Sequence, residues 1–320
     1  MEGKLKQTLF ALEPQYREKV WGGRRLRREG EPVGESWVAF EGSRVRGGGS
    51  DGRTVGELAE EYGAQLLGRE VASRFGSRFP LLVKLLDCAD WLSVQVHPDD
   101  AQAERMVGPG EFGKSEAWHF LKVEEGAQII AGVRPGTTQG ALESAIRDGR
   151  VEDVARRLTV RAGETLYIPA GTLHALGPGM LLYEVQQSSD TTYRVYDWGR
   201  PAGAGRELHV EQAAAVTDAE KNPALTPAPS AKGAASPLVR CPFFDLDLLR
   251  TDGRPFNGDT GGQTFHVVTS IAGSAEVRSG GESLTLGTYD TALVAGAAGA
   301  YEIVPVDGDA AALIASPPAD

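Results

Sequence analysis

A few polar side chains interrupt segments that are otherwise apolar and strand-like. Gln95 and His97 lie in and just past the run 92–96, and period-two alternation sends them to one face together with Ser93. Glu116 stands in Gly113-Lys-Ser-Glu-Ala-Trp118, two residues after Lys114 and just before a second apolar run. His174 lies in Pro169-Ala-Gly-Thr-Leu-His-Ala-Leu176, an apolar strand end followed by a turn, where an imidazole is expensive to bury unless both ring nitrogens have partners. Two imidazoles, one carboxylate and one amide oxygen from separate strands make a four-residue ligand set for a divalent ion such as zinc. The glutamine is the unusual member, since amide oxygen is a hard ligand more familiar around calcium. The competing reading is a solvated strand face at 93–97, a surface ion pair between Lys114 and Glu116, and a hydrogen-bonded core histidine at 174.

Strands must position these groups. Short Val/Ile/Leu/Tyr runs at 128–133, 165–168, 180–185, 192–196, 265–271 and 275–277 are separated by Gly-Pro, Gly-Gly and Pro-Gly pairs that punctuate hairpins. Helical periodicity is confined to 54–75, opened by a capping box of Thr54 and Glu57, and to 138–158, with a break at Gly149. The stretch 222–238 is rich in Pro, Ala and Ser and lacks periodicity, as a linker would be. It separates a metal-binding domain at 1–221 from a second β domain at 239–320. The segment 164–174 can be laid over 290–300, which puts Ala300 where the first domain has His174 and makes the second domain metal-free.

The balance of charge narrows the partners. Among 320 residues, 33 are basic and 44 acidic, and the net charge of −11 repels a phosphate backbone and an anionic bilayer alike. The opening Met1-Glu2-Gly3-Lys4 has no apolar stretch behind a basic one, and no apolar run is long enough to span a bilayer, so a soluble, cytoplasmic chain is expected. Cys88 and Cys241 are too few for a disulfide framework and are expected to be reduced, half-buried fillers.

The segments 79–84, 92–100, 113–118, 169–174 and 186–198 resemble, in order, the signature segments of type I mannose-6-phosphate isomerases, and Val20-Trp-Gly-Gly23 resembles that family's N-terminal Trp-Gly-Gly. The resemblance runs from about residue 14 to 200 and is to the short bacterial form. It implies a mainly β, cupin-like double β-barrel with helical insertions, and one zinc per chain held by Gln95, His97, Glu116 and His174. It further implies catalytic roles for Arg194, Lys114 and Glu184, and places Ser93, Arg200 and Trp21 on the substrate side.

The chemistry so implied interconverts mannose 6-phosphate and fructose 6-phosphate through a metal-stabilised enediolate. A divalent ion acts as Lewis acid on the developing oxyanion. Arg194 adds a fixed positive charge beside it, unless it pairs structurally with Asp190 or Asp197. Lys114, Glu184 and a metal-held water are each able to carry the proton, and the residue types do not choose among them. The phosphate needs a local cationic pocket in so acidic a chain, for which Arg200 and Ser93 are the candidates, with a solvated surface charge as the alternative for Arg200. Two other functions compete: a sugar-phosphate-binding regulator without turnover, and a cupin-type metal oxidoreductase. The second is disfavoured by Gln95 and by the wide spacing to Glu116.

Overall fold

A computed structural model describes residues 3–200 and 207–319; the Met1-Glu2 part of the N-terminal expectation lies outside them. The chain divides into two compact units. The unit that carries the ligand candidates comprises Arg17–Glu35 and Leu85–Ala228. The other comprises Met1–Tyr16, Ser36–Lys84 and Pro229–Asp320. This differs from a contiguous division at 1–221 and 239–320. The N-terminal strand Leu9–Leu12 pairs antiparallel with Thr291–Val294, and this long-range pairing draws the start of the chain into the C-terminal unit. The segment 222–228 is likewise no free tether: Asn222 Oδ1 accepts the amide of Val133 at 2.8 Å, and Thr226 bridges to Thr165.

The ligand candidates of the first unit stand on two antiparallel sheets. One has five strands in the order Tyr193–Tyr196, Val94–Val96, His174–Leu176, Gln128–Val133, Ala155–Thr159. The other takes its strands from Gln15–Gly23, Val33–Ala39, Leu81–Cys88, Met180–Gln187, Glu116–Val123 and Thr165–Ile168, in that order. Alternation splits the five-stranded sheet cleanly. Ile129, Ala131 and Leu176 point inward and join Leu86, Trp118, Phe120, Leu166 and Leu182 of the opposing sheet. Val94, Val96, Ile130, Ala175 and Val195 point outward and are covered by Leu142 and Ile146 of the helix Gln139–Arg147 and by Ala213, Ala214 and Val216 of the helix Val210–Val216. Burying both faces explains why these strands read as nearly continuous apolar runs. It also means that Gln95, one residue out of phase with Val94 and Val96, projects between the sheets.

The second unit repeats the plan with a six-stranded sheet and a four-stranded one around a core that includes Leu9, Val268, Val277, Val294 and Ile303. Its strand Thr291–Val294, turn Gly296–Ala298 and strand Ala300–Pro305 follow the order of Thr165–Ile168 and His174–Leu176 in the first unit, with Ala300 opening the strand where His174 does. Among the described residues the one buried His/Glu metal-type cluster is in the first unit. The fold is therefore mainly β, with two cupin-like units in one chain.

The periodic stretch 54–75 forms three short helices, Val55–Tyr62, Ala64–Leu67 and Arg69–Phe75. Thr54 and Glu57 make the reciprocal capping box, an arrangement worth about 1 kcal/mol. Gly68 breaks the run at φ +87°, and a Cβ there would sit 2.3 Å from the Gln263 carbonyl. The stretch 138–158 is helical only to Arg147, with a 3-10 turn at Val151–Asp153; Leu158 belongs to the strand Ala155–Thr159 instead. Its apolar spacing serves a strand face as well as a helix stripe, so periodicity alone could not separate them. Cys88 is buried, Cys241 is half-buried, and neither is in a disulfide.

Candidate metal centre

His97, Glu116 and His174 converge, with one ligand atom from each within 4.8 Å of the others. All three side chains are buried. The five-stranded sheet supplies the histidines and the amide: His174 is register partner of Gln95, and Arg194 is opposite the same Gln95 on its other side. Glu116 opens the strand Glu116–Val123 of the facing sheet, opposite Gln186. Pairing within the five-stranded sheet thus brings together Gln95 and His174, 79 positions apart, with Gln95 Nε2 3.3 Å from His174 Nε2.

Backbone carbonyls set the histidines. Nδ1 of His97 is 2.9 Å from the Thr191 carbonyl, and Nδ1 of His174 is 2.9 Å from the Thr172 carbonyl. A carbonyl only accepts, so each Nδ1 carries the proton and donates it, and each Nε2 is left as a lone pair. Both lone pairs face Glu116, at 3.5 Å from His97 to Oε2 and 3.3 Å from His174 to Oε1. Burial pushes the His174 imidazole down to about 4; the Thr172 carbonyl and Glu184 work against that shift, and Lys114 adds to it. Nε2 of His174 therefore faces the Glu116 carboxylate as an acceptor, with the Gln95 amide nitrogen on its other side at 3.3 Å. This is a donor set for a cation: neutral imidazoles held by second-layer carbonyls, a carboxylate, and an amide whose oxygen takes the place of its nitrogen by a half-turn. The residues fit zinc.

Other expected residues fall around this centre. Lys114 is buried, and its Nζ stands 3.4 Å from Glu116 Oε2, so the Lys114/Glu116 pair is interior and not on the surface. Glu184 is opposite Trp118 across the sheet and accepts its indole Nε1–H at 2.9 Å, while the Trp118 ring packs edge-on 5.6 Å from His174. Trp118 thus orients Glu184 beside the cluster, a role that its place at the end of the 113–118 segment did not disclose. Arg194 comes together with Ser93, donating from Nε to Oγ at 3.2 Å, and its NH1 reaches the Glu207 carbonyl at 2.8 Å.

Trp21 and Arg200 lie in different settings. Trp21, on Gln15–Gly23, is buried like Ser93 and packs with Leu86, Cys88 and Trp118. Arg200 is held by two carboxylates, Asp197 at 3.1 Å and Asp90 at 2.6 Å. Burial would raise the Asp90 carboxyl, but the Arg200 hydrogen bond, the Trp91 amide and the Arg200 charge outweigh it and hold it below its usual range. A phosphate would have to compete with both carboxylates for that guanidinium.

A family model described as phosphomannose isomerase type I, catalytic domain, matches residues 9–112. The chain is 38% identical over 294 residues to the mannose-6-phosphate isomerase of Streptococcus mutans serotype c, covering 88% of this chain and 90% of that protein. It is 39% identical over 229 residues to the mannose-6-phosphate isomerase ManA of Bacillus subtilis, covering 68% of this chain and 70% of that one. Among solved structures, the mannose 6-phosphate isomerase from Bacillus subtilis superposes with a TM-score of 0.79 at 32% identity, over 97% of this chain and 99% of that one. A zinc-bound mannose 6-phosphate isomerase shares the fold at a TM-score of 0.74 and 17% identity, over 96% of this chain and 99% of that one.

Proposed function

The chain belongs to the type I mannose-6-phosphate isomerase family, and from that premise we propose which of its residues interconvert mannose 6-phosphate and fructose 6-phosphate. The observation that carries the reading is the buried convergence of His97, Glu116 and His174 beside Gln95, with Lys114 and Glu184 at its edge. These residues would hold one zinc ion. When bound, the ion supplies Lewis-acid polarisation of the substrate oxygens.

The remaining work falls to the chain's own groups. Isomerisation moves one proton between C1 and C2 and a second between the hydroxyl oxygens O1 and O2, and negative charge develops on these oxygens as the carbon acid loses its proton. Arg194, always protonated, meets that charge from the strand edge next to Gln95, and Ser93 fixes its Nε direction. Glu184 accepts the proton from carbon and returns it to the neighbouring carbon; the Trp118 indole holds one of its oxygens and sets the plane of the carboxylate. Lys114 places a second positive charge in the buried site beside Glu116. Ser93 and Arg194 form the substrate side, and Arg200 fixes the turn after Tyr193–Tyr196 by tying Asp90 to Asp197.

A non-catalytic sugar-phosphate regulator is not favoured, because every residue of the proposed machinery is in place and the relatives are named as isomerases. A cytoplasmic location goes with this reading, because a doubly charged sugar phosphate does not cross a bilayer unaided. No described helix is long and apolar enough to cross a membrane. The test is turnover of mannose 6-phosphate in a coupled assay before and after chelation. Activity should vanish on metal removal and return with zinc; full activity in verified metal-free protein would refute the zinc site, and no turnover in zinc-loaded protein would refute the isomerase reading.

A further inference from the structure

Lys114 and Glu116 owe their positions to a stretch with no regular structure. Residues 111–115 belong to neither helix nor strand, so no ladder holds the backbone that delivers these side chains into the centre. Three successive amides are instead fastened individually. The Gly113 amide donates to Asp100 Oδ1 at 2.7 Å, the Lys114 amide to the Pro98 carbonyl at 2.9 Å, and the Ser115 amide to Gln187 Oε1 at 2.9 Å. Gln187 closes the set, because its Nε2 donates to the same Asp100 Oδ1 at 2.8 Å. Its own amide returns to the Ser115 carbonyl at 3.2 Å, and Ser115 Oγ accepts the Ala170 amide at 3.2 Å at the start of the turn leading to His174. Gly113 allows the close approach, since a Cβ there would lie 2.5 Å from the Asp100 nitrogen.

We propose that Gln187 and Asp100 are a positioning pair that sets Lys114 and Glu116 for zinc binding and turnover. Gln187 is 5 % exposed and uses its acceptor and its donor on opposite ends of the 113–115 segment. An apolar side chain of the same size would make neither bond, and a carboxylate would keep the acceptor but face Asp100 with like charge. Glu116 follows Ser115 directly, so slack in that amide moves the ligand. Groups that orient ligands in this way typically contribute about 10–100-fold to metal affinity or activity.

The inference rests on the isomerase reading, and the experiment separates the two. Gln187→Leu, Gln187→Glu, Asp100→Asn and the double variant Gln187→Glu/Asp100→Asn are prepared as full-length protein. Measured quantities are kcat and KM for mannose 6-phosphate, zinc affinity of the stripped protein by competition with a chromogenic chelator, and Tm. Gln187→Leu and Gln187→Glu should each lose about 10–100-fold in kcat and about 10-fold in zinc affinity with little change in KM. The double variant exchanges the amide and the carboxylate, restoring one donor between them, and should recover most of both losses relative to Gln187→Glu. A lowered Tm with kcat and zinc affinity intact would overturn the proposal, as would a double variant no better than Gln187→Glu. If Gln187→Leu does not fold, the exchange pair still decides. If wild-type protein binds zinc yet does not turn over the sugar phosphate, the isomerase reading falls, and the zinc affinities alone decide the positioning role.

Discussion

Nε2 of His174 lies 3.3 Å from Oε1 of Glu116, with no proton of its own to place between them because Nδ1 donates its hydrogen to the Thr172 carbonyl. The Lys114 ammonium meets the other oxygen, Oε2, at 3.4 Å, and on the Oε1 side a lone pair faces a carboxylate inside the core, a contact that a cation between them would relieve. Protonation does not supply that charge near neutral pH, since burial holds His174 down to about 4.

His174→Ala should therefore lose bound zinc and isomerase activity together, because one substitution removes a ligand of the ion and with it the polarising charge. Metal content by mass spectrometry and kcat on the same preparation are the measurements. Full occupancy with full activity would show that the cluster is a structural hydrogen-bonded core.

Arg194 makes a different prediction. Its guanidinium touches Ser93 and the Glu207 carbonyl and cannot ligate a metal. Arg194→Ala should keep its zinc and lose at least about 100-fold in kcat, the scale for removing one donor from a developing oxyanion. Unchanged kcat with a lower Tm would instead assign Arg194 to holding the 207–209 segment against its strand.

The polar residues of the centre were legible because each breaks an apolar strand, and alternation alone turns Gln95 inward once Val94 and Val96 are seen to face the helices. Strand positions 128–133 and 165–168 were legible for the same reason. What escaped is carried by backbone or by long separation. The Thr172 and Thr191 carbonyls that fix the imidazoles have no residue-type signature. The pairing of Leu9–Leu12 with Thr291–Val294 joins segments whose apolar runs fit many partners. The helix Asp100–Met106, opened by a capping box of Asp99 and Gln102, escaped because it is too short for an apolar stripe.

Arg200 tests the phosphate assignment. Asp90 and Asp197 already offset its charge, so Arg200→Ala should change KM for mannose 6-phosphate by less than about threefold and lower Tm, the cost of stranding Asp197, whose side chain is 4 % exposed. A rise in KM of tenfold or more, specific to the phosphorylated sugar, would restore Arg200 to the phosphate.

The C-terminal unit has its own acid-sensitive group. Burial pushes His266 down to about 4, opposed by the charge of Asp259, and its Nδ1 meets the Tyr301 hydroxyl at 2.7 Å. In the unfolded chain the same imidazole titrates at its ordinary value of 6.5. The folded value is the lower one, so between these limits the unfolded state takes up a proton that the folded state refuses. Stability is then fully present above about pH 6.5, falls as the pH drops toward 4, and is flat below, with a loss on the order of 3 kcal/mol from this group. Gln in its place has no titration and can still accept from Tyr301. His266→Gln should therefore lose less Tm than wild type between pH 7 and pH 4.5, measured on zinc-free protein so that metal release does not contribute. Parallel Tm curves for the two proteins would mean that His266 takes its proton in the folded state as readily as in the unfolded one, and that the acid sensitivity lies elsewhere.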